Sequence, residues 1–140
     1  MISLEYAAGF FDGEGCITIV RNKNSNSFAL NVGINNTAYL PLKLICDRFG
    51  GSVRFRKSVN PNWRPQWQWQ AVCKNAYYFL SSILPLLLIK KEEAKLAIEF
   101  YEYIQSNKES QPAGCRKKLS DEEIEKRIWY KKTLSDMKRD

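Results

Sequence analysis

Residues 28–35 read Phe-Ala-Leu-Asn-Val-Gly-Ile-Asn, with an apolar side chain at every second position. A period of two belongs to a strand with one dry and one wet face. Phe28, Leu30, Val32 and Ile34 form the dry face, and Ala29, Asn31, Gly33 and Asn35 the wet one. Such a strand needs paired neighbours and an apolar layer over its dry side. Residues 16–22 alternate in the same way, with Ile17 and Ile19 opposite Thr18, Val20 and Asn22. The turn-rich residues 23–27 make the two a hairpin. Residues 52–58 set Val53 and Phe55 against Arg54 and Arg56, and residues 66–72 set Trp67 and Trp69 against Gln66, Gln68 and Gln70. The two tryptophans fit the core better than a base-stacking role.

Helices fill the intervals. Ser3 caps a helix through residue 11, which the Asp12-Gly13-Glu14-Gly15 stretch stops. Asn36 or Thr37 caps a second, with Leu42, Ile45, Cys46 and Phe49 as its apolar stripe and Gly50-Gly51 at its end. Pro41 is tolerated in its first turn. Residues 75–84 form a third helix, stopped near Pro85, and residues 91–106 a fourth. Ser120-x-x-Glu123 is a capping box opening a last helix with Ile124, Ile128 and Leu134 as sparse apolar positions. The expected fold class is α+β: an αββαββα core with a four-stranded antiparallel sheet, helices on one face, and an extra C-terminal helix. The expected division is a core at 1–106, a linker at 107–118 and a basic helix at 119–140.

Composition narrows the chemistry. The chain has no histidine. Ser-His-Asp triads, Cys-His pairs and histidine general bases are excluded, so catalysis must rest on carboxylates, lysines, amides, water and metal. Four cysteines, none in a C-x-x-C pair, point to free thiols rather than zinc. The apolar run 83–89 is interrupted by Pro85 and is too short to span a bilayer. No signal-peptide pattern is present. The expectation is an intracellular protein without a membrane partner, in a bacterial or phage cytoplasm or in an organelle.

The net charge is +7, unevenly spread. Residues 1–20 hold Glu5, Asp12 and Glu14 and no basic group, whereas residues 21–74 hold nine basic groups against Asp47 alone. A basic middle beside a small acidic segment suits a phosphate-binding surface with a metal site. The wet sheet face sharpens this. Arg reads guanine edges, Asn and Gln read adenine edges, and a β-ribbon fits the major groove. The expected DNA-reading residues are Cys16, Thr18, Val20, Asn22, Asn24, Asn31, Asn35, Ser52, Arg54, Arg56, Gln66, Gln68 and Gln70. Arg116, Lys117 and Lys118 are expected at phosphates.

Ala7-Ala8-Gly9-Phe10-Phe11-Asp12-Gly13-Glu14-Gly15 resembles the LAGLIDADG motif of homing endonucleases. Ala8, Gly9, Asp12, the acid Glu14 and Gly15 stand at the motif's defining places. Ala7 departs from its usual Leu, and Glu14 replaces Asp. Asn36-Thr37, Gly50-Gly51-Ser52-Val53 and Pro85-Leu86-Leu87 with Lys90 extend the resemblance over residues 3–105. In such proteins the motif helix packs on a second copy, and the acid at its end binds the divalent metal that cleaves the phosphodiester. The resemblance therefore implies a dimer face at Ala8, Gly9 and Asp12. It implies metal ligation by Glu14 and the Gly15 carbonyl, and supporting roles for Lys90 and Asn36. Lys91 is a rival to Lys90, and a plain helix cap is the rival role for Asn36. The implied cofactor is Mg²⁺ or another divalent cation such as Mn²⁺. With one motif, the implied enzyme is a homodimer that cuts a roughly palindromic double-stranded DNA site and leaves short 3′ overhangs. Intron encoding is expected, and an intron RNA maturase or a non-cleaving binding module is the alternative.

Overall fold

The period-two stretches become strands β1 (Gly15–Asn22), β2 (Ser27–Asn36), β3 (Ser52–Arg56) and β4 (Gln66–Val72). The computed structural model describes residues 2–22, 27–109 and 120–138. The sheet is antiparallel throughout, in the order β1-β2-β4-β3. Hairpin β1–β2 pairs Ile17 with Val32 and Ile19 with Leu30, and β4 joins through Trp69 opposite Ile34. These side chains lie on one face and are fully buried.

Helices α1 (Leu4–Glu14), α2 (Tyr39–Phe49), α3 (Cys73–Ile83), α4 (Lys91–Glu109) and α5 (Asp121–Met137) follow the expected order, with a 3-10 turn at Leu84–Leu86 containing Pro85. Phe11, Phe49 and Trp69 each meet Phe79 edge-on at ring-centre distances of 5.1, 4.9 and 4.9 Å, which ties α1, α2 and the sheet to α3. Gly50 and Gly51 take φ of +85° and +97°. A Cβ at Gly51 would stand 2.4 Å from the Gln70 carbonyl, and the Trp69 indole donates to the Gly50 carbonyl at 3.0 Å. The turn into β3 is thus fixed from β4.

Several boundaries differ from expectation. α1 does not stop at residue 11 but continues through Gly13 to Glu14, and Gly15 is already extended at φ −87°, ψ 168°. α2 begins at Tyr39 after Ala38, with no side-chain cap at its N-cap. β3 ends at Arg56 rather than residue 58, and α3 starts at Cys73, which has φ +51°. α4 runs beyond residue 106 to Glu109. α5 buries Arg127, Tyr130 and Leu134. Ile128 faces outward instead, so only Leu134 of the three expected apolar positions is in the core.

Candidate active site

α1 passes into β1 without a loop, and this junction builds the site. Glu14 is the last helical residue and is exposed. Among the described residues, no hydrogen bond or ion pair engages its carboxylate. Gly15 follows because nothing larger fits. A Cβ there would lie 2.2 Å from Cδ1 of Phe11, whose ring is fully buried. The tight contact fixes the angle between helix and strand, and so the direction in which Glu14 leaves the fold.

Asp12 anchors the other side. Its carboxylate accepts the backbone N–H groups of Leu88 (2.7 Å), Ile89 (3.2 Å) and Lys90 (3.0 Å). Burial pushes the Asp12 pKa up. The bonds from Leu88, Lys90 and Ile89 and the Lys90 charge more than offset this, holding the carboxyl below its ordinary 3.8. Lys90 returns the contact, its Nζ donating to the Asp12 carbonyl at 2.9 Å. A cation there also complements the negative end of the α1 dipole. Lys90 is therefore clamped against the helix end that carries Glu14. It lines a cavity of about 340 Å³ with Gly15, Cys16, Ile89, Glu93, Met137 and Lys138. Its rival Lys91 is not part of that lining.

Asn36 stands apart from this clamp. It is on the inward row of β2, opposite Trp67, and its Oδ1 accepts the Ala38 N–H at 2.8 Å. This bond closes a local turn two residues ahead and is not the expected helix cap, since α2 starts at Tyr39 with Ala38 as an N-cap that no side chain bonds. The expected dimer residues need correction too. Ala8 is 1% exposed and Asp12 8%, so neither has surface to lose to a second copy. Only Gly9 is exposed. The open stripe of α1 runs Tyr6, Gly9, Phe10, Gly13, with Tyr6 and Phe10 stacked at 6.0 Å.

The register places the expected DNA-reading residues of the four strands together. Cross-strand partners project to the same face. Thr18 pairs with Asn31, Asn35 with Gln68, Gln68 with Arg54, Gln66 with Arg56 and Gln70 with Ser52. Cys16, Val20 and Asn22 continue the row along β1 through Gly33, Ala29 and Ser27. No carboxylate interrupts this face, and every residue on it is exposed or half-buried. Asn24, Arg116, Lys117 and Lys118 lie outside the described residues.

The sequence reading assigned no role to Lys57, Trp63 or Arg64 in the loop between β3 and β4. Arg56, Lys57, Trp63, Arg64 and Gln66 line an open cavity of about 590 Å³ at the sheet's far strand pair, with Trp63 66% exposed. Basic groups around an aromatic residue in a proline-marked loop were the available signal. Lys138, at the end of α5, shares the cavity lined by Lys90 and was not singled out by the sequence.

A divalent cation of the Mg²⁺ type takes oxygen ligands. The exposed Glu14 carboxylate and the adjacent Gly15 carbonyl are such donors. Among the described residues, no three Asp, Glu or Cys side chains converge within one chain. The described residues offer two such donors at this junction, the Glu14 carboxylate and the Gly15 carbonyl.

The chain thus presents an α+β fold with a carboxylate-free sheet face and an exposed acid at its edge. The family model of the LAGLIDADG endonuclease matches residues 7–87, more than half of the chain, and the chain belongs to that family. No curated protein matches it. Solved structures share the fold. The archaeal intron-encoded homing endonuclease I-Vdi141I complexed with DNA superposes with a TM-score of 0.74 at 14% identity, over 96% of this chain and 82% of that one. I-CvuI, in complex with its target in the presence of Ca, gives 0.61 at 19% identity, over 94% of each chain. I-LtrWI, bound to target DNA, gives 0.71 at 17% identity, over 94% of this chain but only 44% of that one.

Proposed function

We propose that two copies of this chain form a symmetric, divalent-metal-dependent endonuclease that breaks both strands of a long, roughly palindromic DNA site, and that an intron encodes it. One observation carries the reading. At one end of the carboxylate-free sheet face, the fold gathers an exposed acid, Glu14, and a clamped cation, Lys90. The sheet holds one half-site in register, with Arg54 and Arg56 suited to guanine and the Asn and Gln rows to adenine. Glu14 and the Gly15 carbonyl would hold Mg²⁺ or Mn²⁺. When bound, such an ion neutralises phosphate charge and orients water. Lys90 keeps a fixed positive charge beside that position through Asp12. I-CvuI, covered over 94% of its length, and I-LtrWI, covered over 44%, support the idea that two copies of a chain this size do the work of one longer chain.

The test begins with duplexes selected by binding from a randomised DNA library. The wild-type protein with Mg²⁺ is expected to cut both strands of the selected site. Glu14→Gln is expected to bind that site with near wild-type affinity and not cut it. A wild-type protein that binds but leaves every selected duplex intact would overturn the enzyme reading. Retained cutting by Glu14→Gln would remove the acid from the mechanism. Tighter binding to structured RNA than to any duplex would replace DNA with RNA as the partner.

A further inference from the structure

Helix α5 lies outside the αββαββα pattern, yet its end reaches the site. Arg127, Tyr130 and Leu134 are buried, and Met137 packs partly against the core. These positions are three and four residues apart, so they form one docked stripe. Lys138 follows at the end of that stripe. Its Nζ donates to Cys16 Sγ at 3.6 Å. Cys16 is the first outward residue of β1 and stands two residues after Glu14. Met137 and Lys138 line the same open cavity as Gly15, Lys90 and Glu93. The ammonium therefore sits where the DNA-facing row meets the acid. A thiol is a weak acceptor, and an ammonium has three donors. Its stronger hydrogen-bonding capacity remains for an anion. Lys138 and Lys90 together outweigh the single Glu93 carboxylate in the cavity.

We propose that Lys138 is a further residue of the cleavage machinery, delivered by α5 to contact the phosphate held beside Glu14 and Gly15. This rests on the endonuclease reading above. It makes the appended helix part of the enzyme's active site and not only a stabilising strut.

The experiment compares full-length wild type, Lys138→Ala, Lys138→Arg and Lys132→Ala on the library-selected duplex. Lys132 is exposed elsewhere on α5 and serves as the control. Lys138→Ala is expected to slow single-turnover cleavage about tenfold to a hundredfold, as loss of a donor to transition-state charge does. Binding without Mg²⁺ should show a salt slope shallower by about 0.9 per protomer, the signature of one lost phosphate contact. Lys138→Arg should restore most of both, and Lys132→Ala should match wild type. A wild-type slope and rate for Lys138→Ala would overturn the proposal. So would a slower rate with an unchanged slope and no rescue by arginine, since Lys138 would then act only by docking α5. If wild type binds but cuts nothing, the endonuclease reading fails, while the salt slope still decides whether Lys138 touches phosphate.

Discussion

Two residues of the motif do opposite kinds of work. Gly15 is required for space, because the ring of Phe11 occupies the volume a side chain would need. Gly15→Ala must push a fully buried aromatic off Phe79, and overpacking of this kind costs about 1–3 kcal/mol. A fall in the urea midpoint at constant m-value is expected, with cutting lost as the junction shifts. Asp12 is required for charge. Asp12→Asn would set an amide NH₂ toward backbone donors, and buried donors left unpaired cost about 1–3 kcal/mol. The pH dependence follows from the sign of the shift. The folded carboxyl titrates below its unfolded value, so its contribution is complete above about pH 4. It is lost as pH falls through the folded pKa. Chemical denaturation between pH 5 and pH 2 should show this acid-side loss in wild type and a shallower one in Asp12→Asn. The glycine and the acid were both visible in the sequence, but their partners were not. Phe11 lies four residues from Gly15, whereas the Asp12 donors lie 76 to 78 residues away. No local pattern reports a contact of that span.

At the scale of elements, strands were the more legible. Period-two alternation gave the faces of β1, β2 and β4. Helix ends were less so. Gly13 reads as a stop signal, but tertiary packing carries α1 through it to Glu14. In α5 the counting of Ile and Leu found Leu134 but misplaced Ile128 and passed over Arg127 and Tyr130, since the buried face also uses amphipathic side chains. Tyr130 packs edge-on against Phe100 at 5.5 Å, and its hydroxyl donates to Glu99 at 3.2 Å. Burial first, then the Glu99 charge and hydrogen bond, push the Tyr130 pKa up to about 12. The fold thus favours the neutral phenol. That contribution is complete below pH 10, the unfolded value, and is lost as pH rises toward about 12. Alkaline titration should release α5 from α4 in this window, seen as a change in Trp129 fluorescence. Tyr130→Phe should abolish the pH-dependent part. The start of α5 is also testable. Ser120 Oγ accepts the Glu123 N–H at 3.2 Å, and Ser120→Ala should cost about 0.5–2 kcal/mol in helix stability.

The whole molecule poses one question that the protomer leaves open, which is why α1 tolerates Gly9 and Gly13. A Cβ at either position meets nothing within 4 Å, and neither has a φ that requires glycine. Each glycine costs about 1 kcal/mol relative to alanine inside a helix. Within one chain that cost has no return. A second α1 packed against the stripe would supply one, because the missing side chains let two backbones approach. The surroundings agree. Tyr6 is 51% exposed on the same stripe, and Leu88 and Ile89 are strongly exposed beside the Asp12 clamp. The reading gives one substitution two opposite effects. Gly13→Ala should stabilise the isolated protomer by about 0.5–1 kcal/mol, as expected for relieving a helical glycine. It should at the same time weaken self-association, because each copy adds a methyl at the shared seam. Sedimentation over a concentration series would report the second effect, and denaturation at a concentration where the protein is monomeric would report the first. A gain in monomer stability with unchanged association would place the second copy elsewhere on the surface. A wild-type protein that sediments as a monomer at every concentration, with and without its DNA, would remove the dimer. The acid at the foot of α1 would then have to act without a second Glu14.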